Sequence, residues 1–252
     1  MKLGVNIDHI ATLREARKIN EPNPLEAIFI LKNAGAHQIT AHLREDRRHM
    51  HDEDIKLIIQ SSPLSVNIES SINEEIINFL ISLKPQTITL VPENRKEVTT
   101  EGGLLLGDYL KPIIQKIKDN GILVSLFIDS NKDAISRAKE LDVSKIELHT
   151  GEFANLFLIL NSNLENMHNK LNIKNAKEKY FQSLDSLKNA AIFAESLGLE
   201  VCAGHGLNYQ NIEEIIKIKE IKELNIGHSI ISRAVFCGLH NAIKEMLYLI
   251  NK

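Results

Sequence analysis

The sequence predicts a (β/α)8 barrel. Three observations lead there. The chain has 252 residues, close to the ~250 usual for one such barrel. Eight short β-rich runs alternate with segments of helical periodicity. Polar residues collect at the ends of six of those eight runs, the rim where a parallel barrel forms its site.

The strands are read as Leu3–Asp8, Gln38–His42, Leu64–Glu69, Thr87–Val91, Leu123–Asp129, Lys145–His149, Glu200–Gly204 and Glu223–Ile226. Several are almost continuously apolar, as expected of parallel strands covered on both faces. The helices between them carry end signals. Asn23 precedes Pro24, with Glu26 three residues after the cap, and Gly35 closes that helix. Ser71 and Glu74 form a capping box ahead of the stripe Ile76, Ile77, Leu80 and Ile81. Ser130 with Asp133 opens a helix running through Leu141, and Gly121 and Gly198 each end a helix just before the next strand. An open doubly wound sheet fits the same pattern and lacks only the contact between first and last strands. With no Pro- or Gly-rich linker, residues 1–252 read as a single domain.

At 43% hydrophobic and 25% charged, the chain has the makings of a large core. A net charge of −3 gives no general drive toward nucleic acid or anionic membranes. The two cysteines, Cys202 and Cys237, suggest neither a disulfide framework nor a zinc ribbon, which fits a reducing cytosol. No apolar run approaches the ~18 residues of a membrane span, and Asp8 and His9 come too early for a signal peptide. The expectation is a soluble cytoplasmic protein. The Asn-rich stretch Asn161–Asn175 breaks the periodicity and reads as a surface loop, with a lid or a subunit contact as the other readings.

Strand one ends in Asn6-Ile7-Asp8-His9, strand two in His42, strand three in Asn67-Ile68-Glu69 and strand six in Glu147-Leu148-His149-Thr150-Gly151. Strands seven and eight end in Gly204-His205-Gly206 and Asn225-Ile226-Gly227-His228. Any one of these is an ordinary turn former; together they describe an enzyme. The glycine–histidine ends of the last two strands lie where barrels hold phosphate on backbone N–H groups at a helix N-terminus, here beginning near Ser229. A second basic patch, Arg44, Arg47, Arg48 and His49, is either an anion site or a charge run neutralised by Glu45 and Asp46. The segment Val98–Gly103 offers hydroxyls and glycines for wrapping a phosphate. Two anion sites imply two phosphorylated ligands or one bisphosphate. No lysine ends a strand at the mouth, which argues against a Schiff-base aldolase, and no dinucleotide fingerprint follows the first strand. A metal held by His42, Glu69, His205 or His228 remains open on residue types alone.

The segments GVNIDHIATLREAR (4–17), HLREDRRHMHDEDI (42–55), VPENRKEVTTEGGL (91–104), VSLFID (124–129), IELHTG (146–151), AGHGLNYQN (203–211) and ELNIGHSIISRAV (223–235) resemble, in order, those of the pyridoxine 5'-phosphate synthase family. The resemblance implies a TIM barrel with extra helices, a homo-octamer, and no metal or organic cofactor. It implies a transferase-class enzyme of vitamin B6 biosynthesis acting on two small molecules, 3-amino-2-oxopropyl phosphate and 1-deoxy-D-xylulose 5-phosphate. It implies proton acceptors at His42 and Glu69, a proton donor at His205 and transition-state stabilisation by Glu147. The aminoketone phosphate would be held by Asn6, Arg17, Gly206, Gly227 and His228. The pentulose phosphate would be held by Asp8, His9, Arg44, His49 and Thr99. Asn161–Asn175 looks longer than is usual for the family. The competing readings are another phosphosugar epimerase or isomerase, and a barrel that binds phosphometabolites without catalysis.

Overall fold

The computed structural model describes residues 1–93, 102–162 and 175–252. Eight parallel strands pair in sequence order: β1 (Lys2–Asn6), β2 (Gln38–Leu43), β3 (Ser65–Ser70), β4 (Thr87–Leu90), β5 (Leu123–Ile128), β6 (Lys145–His149), β7 (Glu200–Gly204) and β8 (Ile221–Ile226). β1 also pairs with β8, from Lys2 opposite Glu223 to Val5 opposite Ile226. That contact closes the barrel and settles the choice against an open sheet.

The main departure from the expected strands lies at β1. It stops at Asn6 because Asp8 already begins the first helix.

The loop after β1 holds two helices, α1 (Asp8–Arg17) and α2 (Pro24–Ala34). α3 (Asp52–Ser61), α4 (Glu74–Leu83), α5 (Lys111–Asp119) and α6 (Lys132–Glu140) follow the next four strands. β6 is followed by α7 (Gly151–Asn161) and the long α8 (Ala176–Ser196). β7 is followed only by the single turn α9 (Ile212–Ile215), and β8 by α10 (His228–Cys237) and α11 (Leu239–Ile250). None of the helices among the described residues is long and apolar enough to cross a membrane.

The α2 cap is as the sequence suggests: the Asn23 side chain accepts the Leu25 N–H at 3.0 Å, and Gly35 ends the helix. Two other caps move. α4 is capped by Asn73, which accepts from Glu75 N and Ile76 N, while the Ser71 hydroxyl donates to Glu45 at 2.9 Å. α6 is capped by Asn131, which accepts from Ala134 N at 2.8 Å, not by Ser130. In both cases the asparagine directly precedes the first helical residue, so its carbonyl reaches the free N–H groups first.

The core has two layers. Outward-facing strand residues such as Leu3, Val5, Ile39 and Ile68 are fully buried against helix residues such as Ile28, Leu31, Ile58 and Leu80. Inside the barrel the filling is polar where branched aliphatics are common. Gln38, Thr40, Asn67, Thr89, Ser125, Lys145, Glu147, Glu223 and Asn225 are all buried. Apart from Ser125, whose hydroxyl has no hydrogen-bond partner among the described residues, they pair with one another inside the barrel. At the lower end Glu223 accepts from Gln38 at 2.9 Å and from Lys145 at 3.0 Å. One layer higher Asn225 accepts from the Thr40 hydroxyl at 3.1 Å and donates to Glu147 at 2.7 Å. Burial alone would discharge Lys145, but Cys202, Glu223 and Glu200 together outweigh it and hold the ammonium above its ordinary pKa.

Removing one member of a buried pair strands the other. Glu223→Gln is therefore expected to cost about 3 kcal/mol of unfolding free energy in urea at neutral pH. A loss under ~1 kcal/mol would mean that half-exposed Glu200, 3.4 Å from Lys145, compensates the charge by itself.

Candidate active site

The C-terminal rim of the barrel encloses a cavity of about 1500 Å³. Of the fourteen residues selected from sequence, all but Arg17 and Thr99 line it. Thr99 lies outside the described residues. Arg17 is exposed and ends α1, nine residues and about 13 Å along the helix from Asp8 at the rim. Within this chain it does not reach the cavity.

The first strand builds its corner locally. Asn6 accepts the Asp8 N–H at 2.9 Å, which turns the chain from β1 into α1. Asp8 then accepts the His42 N–H at 2.8 Å and is fixed between strands one and two. Burial raises the Asp8 pKa, partly offset by His42.

His42 sits between two carboxylates. Its Nδ1 is 4.0 Å from Glu69, and its Nε2 is 3.6 Å from Glu93. Glu93 also accepts the Glu45 N–H at 2.9 Å and lies 3.7 Å from Arg44. Burial pushes the Glu93 pKa up, but the His42 contact, the Glu45 N–H and Arg44 outweigh it and keep the carboxylate charged. Glu93 thus orients the imidazole, and sequence reasoning passed over it. The available signal was an acid three residues past the last residue of β4.

The two inner carboxylates behave differently. Burial raises Glu69 well above the ordinary carboxylate range, and the nearby charges of Glu147 and Asp8 add to it. Burial raises Glu147 to about 7, against the Asn225 hydrogen bond, with Glu223 raising and Lys145 lowering it further. Gly204 makes this position possible: a Cβ there would stand 2.1 Å from Glu147 Oε1. Burial thus favours the protonated form of both carboxyls.

His205 occupies a left-handed backbone conformation, φ +83°, which costs a non-glycine residue about 1–3 kcal/mol. The next residue, Gly206, is also left-handed. The Thr150 hydroxyl holds the turn, donating at 2.6 Å to the carbonyls of both Gly204 and His205. Burial, then the adjacent His149, lowers the His205 pKa to about 4.

Two basic poles flank these groups. At one, His9 and His228 meet edge to face, 5.1 Å between centroids, at the N-terminus of α10 directly after Gly227. Burial and His228 lower the His9 pKa to about 4, so it is neutral until an anion arrives. At the other pole stand Arg44 and His49. Arg14 anchors that loop, binding Asp54 through two 2.7 Å contacts and donating to the His49 carbonyl at 3.1 Å. Arg47 and Arg48 are instead paired outward, with Asp52 and Asp46. They belong to a solvated charge run.

His42, Glu69, His205 and His228 do not converge as metal ligands. Among the described residues the one group with ligating atoms close together is Glu200, Cys202 and Glu223. It lies at the opposite end of the barrel, where Lys145 already supplies the cation.

Glu147 gives a test through pH. Its folded-state pKa is raised from 4.5 to about 7, so the stability it contributes is complete below 4.5 and is lost as pH rises toward 7. His205 and His9 have depressed values and act oppositely, losing stability as pH falls from 6.5 toward 4, but equally in wild type and variant. Glu147→Gln should therefore gain stability relative to wild type as pH rises, by about 3 kcal/mol between pH 4 and pH 8. A melting-temperature difference that stays flat between pH 5 and 8 would contradict the burial argument.

The family model described as "Pyridoxal phosphate biosynthesis protein PdxJ" matches residues 3–252. A relative from Wolinella succinogenes, named pyridoxine 5'-phosphate synthase, is 55% identical over 260 residues, covering 100% of this chain and 99% of its own. One of the same name from Aliarcobacter butzleri is 56% identical over 258 residues, covering 99% of each. Among solved structures, 3-hexulose-6-phosphate synthase superposes with a TM-score of 0.61 at 14% identity, covering 99% of both chains. N-(5'-phosphoribosyl)anthranilate isomerase from Pyrococcus furiosus gives 0.59 at 15% identity, covering 100% of this chain and 98% of its own. At such identities the structural matches speak to the fold, a TIM barrel, and the sequence matches to the family. With its motifs in order and its whole length matched, the chain belongs to the PdxJ family of pyridoxal phosphate biosynthesis proteins.

Proposed function

We propose that this chain condenses 3-amino-2-oxopropyl phosphate with 1-deoxy-D-xylulose 5-phosphate, forming pyridoxine 5'-phosphate, inorganic phosphate and water. One observation carries the reading beyond family membership. Glu69, Glu147, His42 and His205, far apart in sequence, share one cavity between two basic poles. Two phosphorylated substrates need two anion sites, and the joining of amine to ketone between them needs repeated proton transfers.

Asn6, Gly206, Gly227 and His228 form the pole for the aminoketone phosphate, with the N–H groups of α10 facing the anion. Asp8, His9, Arg44 and His49 serve the pentulose phosphate. Negative charge arriving at either pole raises the pKa of neighbouring histidines, so His205 and His9 gain protons as substrate binds. His205 then donates a proton to a departing oxygen.

His42, backed by charged Glu93, is suited to take protons from carbon. Glu69, whose pKa burial raises, alternates between acid and base as the dehydrations proceed. Glu147, once ionised, stabilises positive charge developing on nitrogen when the imine forms. Thr99 and a homo-octameric assembly are carried into this reading by the family alone. Exposed apolar side chains beside the cavity, Val235, Phe236 and Tyr248, agree with self-association.

The test mixes purified protein with both substrates and follows pyridoxine 5'-phosphate and free phosphate together. Equal release of the two is expected, and Glu69→Gln should lower kcat by at least ~100-fold with little change in KM. A folded wild-type protein that releases neither product would overturn the assignment. A Glu69→Gln enzyme with near-normal turnover would remove Glu69 from the chemistry.

A further inference from the structure

The tripeptide His149-Thr150-Gly151, at the end of β6, takes no part in the chemistry above, yet all three residues converge on His205. The His149 ring lies 5.2 Å from the His205 ring, centroid to centroid, tilted by 52°. Thr150 binds the carbonyls on both sides of the His205 N–H, and its own N–H donates to Gly204 O at 2.9 Å. Gly151 leaves room for both imidazoles: a Cβ there would stand 2.5 Å from His149 Nε2 and 3.1 Å from His205 Cδ2. Its φ is not left-handed, so the requirement is for space.

Behind His149 stands a carboxylate. Asp129 Oδ1 is 3.6 Å from His149 Nδ1, and the same oxygen accepts the Gly103 N–H at 2.8 Å. A carboxylate beside Nδ1 keeps the proton there and leaves Nε2 as a lone pair. That Nε2 is buried and has no hydrogen-bond partner, and the side chain is only 10% exposed. Phe127, 5.1 Å away, fixes the ring from another side. Asp129 therefore touches both the segment after β4, through Gly103, and the histidine that packs on His205.

We propose that Asp129, His149 and Thr150 form a positioning clamp for the proton-donating His205. They hold its strained backbone turn and its ring orientation, and they tie both to the backbone at Gly103. The inference rests on the proposed role of His205 in the condensation. Thr150 carries the backbone part, since a hydroxyl shared by two carbonyls cannot be replaced by a methyl group. His149 and Asp129 carry the ring part.

Thr150→Val keeps the shape and loses the hydroxyl, while Thr150→Ser keeps the hydroxyl. The clamp predicts that Thr150→Val lowers kcat by about 100-fold with KM for both substrates within about twofold, and that Thr150→Ser recovers most of the loss. His149→Phe should also lower kcat and move the pH profile of kcat, while a purely packing role leaves the profile in place. Histidine-selective ¹⁵N NMR reads the ring without turnover. Wild-type His205 should show one tautomer, and Thr150→Val and His149→Phe an averaged signal. Unchanged kcat and an unchanged His205 signal in folded Thr150→Val would overturn the clamp. So would equal damage from the Ser and Val variants. Should wild-type enzyme form no product, the condensation itself is refuted, and the NMR comparison still decides whether the clamp orders His205.

Discussion

Closing eight parallel strands into a barrel removes water from its axis, and every polar side chain pointing inward must then be matched by another. That constraint organises this molecule. Glu223 gathers Gln38 and Lys145 at the lower end, and Asn225 joins Thr40 to Glu147 one layer higher. Nearer the rim the matching becomes incomplete. Glu69 has carboxylate neighbours and, among the described residues, no lysine or arginine paired with it, so burial acts on its protonation instead of being cancelled. Reactivity appears where the ladder of paired groups ends.

The same dryness acts in opposite directions on acids and bases. It raises Glu69 and Glu147 and lowers His9 and His205, so the empty site holds little net charge despite its many titratable groups. A phosphate dianion entering that environment finds neutral imidazoles and helix N–H groups that become stronger partners as it arrives. In the proposed reaction, substrate binding and protonation of His205 are then one event. Glu93 is the exception that makes the rule visible: three favourable contacts around it are enough to keep it ionised beside His42.

Much of this was legible in the sequence. Strand positions followed from apolar runs, and the rim residues from their place at strand ends, because both are properties of local order. The misplaced caps at Ser71 and Ser130 show the limit of that reasoning. A neighbouring asparagine competes for the same N–H groups, and the winner depends on where the first helical turn starts. Arg17 shows another limit: its motif matches, but helix geometry carries it away from this chain's own cavity. Glu93, Thr150 and Asn225 were hidden for a third reason. Their importance lies in contacts to groups 48, 55 and 78 residues away, which no local pattern encodes.

The central claim is that burial at the barrel mouth raises the Glu69 pKa well above the ordinary carboxylate range and so favours its protonated form in the resting site. Difference infrared spectroscopy between wild-type enzyme and Glu69→Gln, both folded and free of ligand, tests it directly. The account predicts a protonated-carboxyl C=O band at pH 7 that is present in wild type and missing from the variant. If the difference spectrum instead shows only the loss of ionised-carboxylate bands, Glu69 carries its charge in the resting site. The link drawn here between burial and acid–base function would then be wrong.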